Sequence, residues 1–169
     1  MEKKNPLSQA HPAIYILLAF FLWAGAKDIE ILFRGATVTD YILWDHIGLG
    51  WAFESAATLL AVLAALLLYC FWRPRPWGVW AGLGYLGLDG AVNALGFLLA
   101  ARNPELAAEA YQSSREVRYL SQNEDLVGLL MNPQVMEALF WLSLGVLAAM
   151  AGILVWQRGY FTGRDATQG

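Results

Sequence analysis

The chain has 169 residues, of which 58% are hydrophobic, 14% aromatic and only 15% charged, whereas soluble domains carry about 25% charged residues. Four long apolar stretches account for the deficit, which excludes a soluble enzyme, a nucleic-acid binder with a basic face and a disordered tail. A net charge of −3, from 11 Lys and Arg against 14 Asp and Glu, is too balanced to point to DNA or an anionic lipid surface as a partner.

The first apolar run, residues 13–26, spans about 14 residues, short of the 20 or so that a membrane-crossing helix needs. Beyond it Lys27, Asp28, Glu30 and Arg34 are interspersed with Ile29, Ile31, Leu32 and Phe33. This reads as one helix over residues 12–33 with polar groups in its last third. Pro12 suits the first turn, where no amide bond is lost. Lys3, Lys4, the short apolar core and Ala24-Gly25-Ala26 also imitate a secretory signal cleaved before Lys27. Bulky Trp23 and the apolar continuation favour retention.

A second helix is expected over residues 46–72, with an unbroken apolar segment at 55–71. The run Trp72-Arg73-Pro74-Arg75-Pro76-Trp77-Gly78 ends it, because two prolines forbid continuation. A third helix over residues 77–101 follows at once and forms an antiparallel hairpin with the second. Asn103-Pro104 stops it. In the segment 102–132, Leu106, Ala110, Tyr111, Val117 and Leu120 recur at helical spacing around Glu105, Glu109, Arg115 and Glu116. That pattern predicts an amphipathic outer helix, with a shorter helical turn over 126–131, serving as an interfacial connector or as a gate or docking surface. The fourth helix, residues 133–157, opens on a second Asn-Pro pair, with Asn132 as cap and Pro133 in the first turn. The fold class is therefore all-α: a four-helix transmembrane bundle with an amphipathic helical cap on the outer face between helices three and four, residues 1–169 forming one membrane domain.

Orientation follows from basic residues in short flanks. Lys3, Lys4, Arg73, Arg75, Arg158 and Arg164 lie on one side, against Arg34 and the more dispersed Arg102, Arg115 and Arg118 on the other. Both termini are expected in the cytoplasm, the chain being multi-pass in the cell (inner) membrane. Trp23, Trp44, Trp51, Trp72, Trp77, Trp141 and Trp156 fall mostly near the interfaces, as an aromatic belt does.

Cys70 is the only cysteine, so one chain can form no internal disulfide, thiol relay, four-cysteine iron–sulfur site or cysteine-based zinc site. His11 and His46 flank the first apolar run and belong on opposite membrane faces, which argues against a haem held by both. No cofactor is indicated and no metal site is expected.

Ionisable groups in hydrocarbon are costly, so they face the bundle interior, pair or line water, and they mark functional sites by default. His46, Gly50 and Glu54 stack at i, i+4 and i+8 on one face. Asp89 sits halfway along the third helix with Asn93 one turn further out, and Gly82 and Gly96 near that face permit close helix approach. Glu137 enters in the first turns of the fourth helix, and Lys27, Asp28 and Glu30 close the first. At a rise of about 1.5 Å per residue, all of these fall between the midplane and the outer interface.

The candidate intramembrane polar site is thus Asp89, Glu54, Asn93, His46, Glu137, Lys27, Asp28 and Glu30. Some of these have plainer readings. Lys27 with Glu30, and Glu30 with Arg34, are spaced for an interfacial salt-bridged turn. His46 after Trp44-Asp45 suits an interfacial cap, and Glu137 suits headgroup level. Asp89 and Glu54 lie deepest and are the hardest to assign to structure alone.

Three function classes fit. The first is a small membrane protein whose outward-facing acidic pocket binds or transports a cation, proton or polar small molecule. Four helices make a thin wall and no inverted repeat is visible, so this class needs an oligomer. The second is an accessory or structural subunit of a larger membrane complex, packing through the glycines of the third helix (Gly78, Gly82, Gly84, Gly87, Gly90, Gly96) and the abundant aromatics. The third is a membrane enzyme using Asp89 or Glu54 as general acid or base on a lipid-like substrate, although no G-x-S-x-G, H-E-x-x-H or phosphate-binding glycine loop is present. The partners expected are the lipid bilayer and either further copies of the chain or a membrane complex, and no nucleic acid.

Overall fold

The computed structural model describes residue 7 and residues 10–34, 50–103, 105, 108 and 132–162. Among them every regular element is helical: α1 (Pro12–Arg34), α2 (Gly50–Trp72), α3 (Trp77–Arg102), α4 (Pro133–Trp156) and α5 (Arg158–Thr162). Three are long and apolar enough to cross a membrane: Ser55–Trp72 within α2, all of α3 and all of α4, with mean hydropathies of 2.1, 1.4 and 2.3. α1 has 23 residues but carries Lys27, Asp28, Glu30 and Arg34 in its last third. His46, nearly all of the expected outer helical segment and the side chain of Glu54 lie outside the described residues.

Local chemistry sets the helix ends. After α2 the Arg73 amide still donates to the Tyr69 carbonyl at 2.9 Å, but Pro74 and Pro76 have no amide hydrogen to continue the ladder. α3 begins directly after Pro76. At the start of α4 the Asn132 side chain accepts from the Gln134 amide at 2.9 Å, and Pro133 occupies a position that needs no donor.

α1 packs mainly on α2, α2 on α3, and α3 on α4, whereas α1 and α4 meet only slightly. Just before α1 and at the end of α4, the His11 ring stands edge-on to Trp156 at 5.2 Å and its Nδ1 lies 3.4 Å from the Gln157 side-chain nitrogen. The main core fills this same end of the molecule. It is built from Ile14, Leu17 and Phe21 of α1, Ala64, Leu67 and Phe71 of α2, Tyr85 and Leu86 of α3, Leu154 of α4, and Phe161 of α5. Phe21 meets Tyr85 edge-on at 5.7 Å, and Phe71 meets Phe161 at 5.6 Å.

Two tyrosines close this end. Tyr15 donates its hydroxyl to the Leu7 carbonyl and Tyr160 donates to the Phe71 carbonyl. Leu7, Ala10, His11, the α2–α3 turn and α5 are therefore gathered at one end of the helices. The polar residues of α1 and α3 lie further along, Asp89 being about 18 Å from the start of α3 at 1.5 Å per residue.

Candidate functional site

Tyr85, Asp89, Asn93 and Phe97 follow one another at intervals of four along α3 and so share one face. Within that stripe the Asn93 amide nitrogen donates both to the Asp89 backbone carbonyl at 2.8 Å and to its Oδ1 at 3.0 Å. The amide thereby holds the carboxyl one turn below it. Tyr85 reaches across to α1 and donates its hydroxyl to Oδ2 of Asp28 at 2.6 Å. Both partners are buried, at 1% and 3% exposure, which is how an acidic side chain is tolerated between helices: its oxygen is paired. The Tyr85 ring is also the last layer of the aromatic core, since Phe21 packs on its face or edge just below. One residue thus joins the apolar half of the molecule to its polar level.

These groups floor a crevice of about 400 Å³ between α1, α3 and α4. Phe20, Trp23, Ala24 and Lys27 come from α1, and Leu139, Leu142, Ser143, Val146 and Leu147 from α4. α1 and α4, which both line the crevice, meet only slightly. Its polar groups, contributed by all three helices, are two carboxyls, an ammonium, an amide and two hydroxyls, and the rest of the lining is aromatic or aliphatic. The size lies in the usual range for small-molecule sites, about 300–1,000 Å³.

Of the residues singled out in the sequence, Lys27, Asp28, Asp89 and Asn93 line this one crevice. Glu30 is exposed: two residues beyond Asp28, it lies about 200° further round α1 at 100° per residue. Glu137 is also exposed and lines a separate hollow of about 350 Å³ with Pro133, Met136, Phe140 and Trp141. Phe97 borders both spaces and stands edge-on to Phe140 at 6.0 Å. His46 and the Glu54 side chain are outside the described residues.

The sequence pattern does not single out Tyr85 or Ser143, yet each had a signal. Tyr85 is one helical turn before Asp89, and Ser143 is the one polar residue of α4 between Glu137 and Gln157. Among the described residues, no three His, Cys, Asp or Glu side chains are grouped so as to hold a metal ion. No family model, curated protein or solved structure gives a significant match to this chain.

Proposed function

We propose that this is a multi-pass membrane protein whose intramembrane crevice binds, and in an oligomer moves, a cation, proton or polar small molecule. The observation that supports this reading is the convergence of Lys27 and Asp28 from α1 with Tyr85, Asp89 and Asn93 from α3 around one ligand-sized space. In this reading α1 is a fourth span, the protein sits in the cell (inner) membrane, and both termini face the cytoplasm. The crevice then lies from mid-depth toward the outer side.

The test is thermal unfolding of the purified chain in a mild detergent against a panel of protons, Na+, K+, small organic cations and small polar solutes. At least one should raise the transition saturably in the parent and leave Asp89→Asn unshifted. That substitution keeps a side-chain oxygen to accept from Asn93. A panel in which every stabilising solute acts equally on both chains would overturn the proposal.

A second reading, an accessory subunit of a membrane complex, is favoured by α4. Of its 24 residues only Met136 and Leu154 are fully buried, and the face turned away from α3 is exposed, with Trp141, Leu142, Val155 and Trp156 open to lipid or to a partner. Native mass spectrometry of the complex extracted in mild detergent separates the two: a fixed stoichiometry with a second gene product supports the subunit reading, and the chain alone or with its own copies supports the first.

A further inference from the structure

Resting on the crevice being a binding site, we infer that its ligand is an uncharged amphiphile, whose head of carbonyl and hydroxyl oxygens is held by Lys27 and Ser143 and whose apolar body lies along Trp23 and Phe97. Three features of the lining lead there. The first is a pair of donors. Tyr85 donates to Asp28 and Asn93 to Asp89, whereas among the described residues the Lys27 ammonium and the Ser143 hydroxyl have no hydrogen-bond or ion-pair partner. Both border the crevice, one from α1 and one from α4, and both are half-buried. A donor left unsatisfied inside a membrane is costly, so these two call for acceptor oxygens on the ligand.

The second is that charges of both signs border the space. An anionic head would bring a further negative charge beside Asp28 and Asp89, and a cationic head a second positive charge beside Lys27; like charges repel strongly where the dielectric is low. An uncharged head avoids both penalties. Its carbonyl accepts from the ammonium and the serine, and its hydroxyls face the carboxyl side.

The third is the hydrocarbon that makes up the rest of the lining, Phe20, Trp23 and Phe97 together with the aliphatic side chains of α4. Sites of this composition enclose a mainly apolar body, and their few polar groups set its orientation. A solute polar all round, such as a sugar, would bury hydroxyls against these walls without partners. Trp23 and Leu142 border the crevice and are also 66% and 65% exposed, so in a bilayer part of the lining meets acyl chains, among which the tail of an amphiphile can continue.

The probe is a monoacylglycerol with a photoreactive diazirine in its acyl tail, added to the full-length chain in phosphatidylcholine nanodiscs. The disc lipid stays in constant excess, so labelling that saturates reports a preference over a phospholipid. Saturable labelling is expected, mapped by peptide mass spectrometry to α1 around Trp23 and α3 around Phe97. Unlabelled 1-oleoylglycerol should displace it at lower concentration than octadecene, which has no head, oleate, whose head is anionic, or oleylamine, whose head is cationic. Ser143→Ala should weaken the binding about fivefold and Lys27→Met roughly tenfold or more, as expected for losing a neutral and a charged donor. Lys27→Arg keeps a donor and should keep most of the binding, and circular dichroism with thermal unfolding checks that each variant folds.

Equal competition by octadecene would overturn the inference by showing a cleft that reads no head, and equal competition by oleate or oleylamine would overturn it in favour of a charged ligand. Folded Lys27→Met and Ser143→Ala that label like the parent would overturn it as well. If the monoacylglycerol fails to label the crevice saturably while Na+, K+, protons or another solute stabilises the parent and not Asp89→Asn, the ligand class is wrong and the binding site stands. If no solute distinguishes parent from Asp89→Asn and labelling is not saturable, both fall.

Discussion

The hydroxyl of Tyr85 and the carboxyl of Asp28 form a buried pair between α1 and α3, and what each substitution leaves behind decides its effect. Tyr85→Phe removes the donor and keeps the ring that packs on Phe21. Hydrogen bonds between membrane helices average about 0.6 kcal/mol and reach about 1.7; with both partners buried, the upper end is expected in reversible unfolding from detergent. Asp28→Asn keeps an acceptor oxygen and should cost less than Asp28→Leu, which strands the hydroxyl without one. The reverse order would mean that the pair does not hold α1 to α3. At Asp89 the same logic separates glue from site. If the residue is only glue, Asp89→Asn should behave like the parent in every assay and Asp89→Leu should lose stability; if it is a binding group, Asp89→Asn should keep stability and lose ligand. At the other end of the molecule, burial pushes the Tyr160 hydroxyl up to about 12, and Tyr15 adds a smaller push in the same direction. A raised value means that the folded state favours the protonated hydroxyl, which donates to the Phe71 carbonyl. Its contribution is complete below the unfolded value near 10 and is lost as the pH climbs toward about 12. Parent and Tyr160→Phe should therefore differ in stability by a constant amount up to about pH 10, and the difference should shrink above it; a gap that persists to pH 12 would contradict this.

At the scale of helices, close approach is concentrated at a few glycines. A Cβ at Gly25 would lie 2.9 Å from the Ala64 Cβ, and that methyl is fixed to the α2 backbone, so no rotamer change can relieve the clash. A Cβ at Gly82 would meet Leu154 at 2.5 Å, but at the far end of a side chain that can turn. Gly25→Ala is thus expected to cost about 1–3 kcal/mol as overpacking does, more than Gly82→Ala, and Ala64→Gly in the same chain should restore most of it. Gly84→Ala and Gly87→Ala, where nothing lies within 4 Å, should be close to neutral. A double variant as unstable as Gly25→Ala alone would show that the two helices do not meet there. This contrast also shows which parts of the fold the sequence makes legible. Helix ends can be read because Pro74, Pro76, Asn132 and Pro133 act locally. Helix rotation cannot: α3 and α4 are apolar all round, as lipid-facing helices are, and have no single hydrophobic stripe to say which face turns inward. Asp89 and Asn93 stand out as polar residues in an apolar run, and Lys27 and Asp28 as charges closing another. That Asp28 joins Asp89, while Glu30 turns away, depends on a rotation that only packing against α2 and α3 fixes. Tyr85 is hidden for the same reason, since a tyrosine in an apolar helix is as suitable for a core or an interface as for a site.

For the whole molecule, Leu7, Ala10, His11, the Arg73–Pro74–Arg75 turn and α5 lie at one end, and the proposal that this end faces the cytoplasm rests on the basic residues of the flanks. Cysteine labelling in intact cells with a membrane-impermeant reagent tests the assignment. Arg75→Cys should be protected and Ser113→Cys should react, while Cys70, buried in the core, stays silent in both; reaction at position 75 from outside would invert the topology. The place of α1 carries the rest. Cleavage before Lys27 would remove Ile14, Leu17 and Phe21, all of them at 0% exposure in the core, and would leave the Tyr85 ring without its edge-on partner. It would also take Phe20, Trp23 and Ala24 from the crevice and leave Asp28 at a free chain end instead of on a helix turn. A core of this kind accounts for much of the packing of a small bundle, because within lipid helices associate through close contact and not through exclusion from water. The chain extracted from its native membrane should therefore keep α1, and intact-mass analysis should place its first residue well before Pro12. A mature species beginning at Lys27 would leave three spans, dismantle the crevice on the α1 side, and remove the structural basis for a site at Asp89.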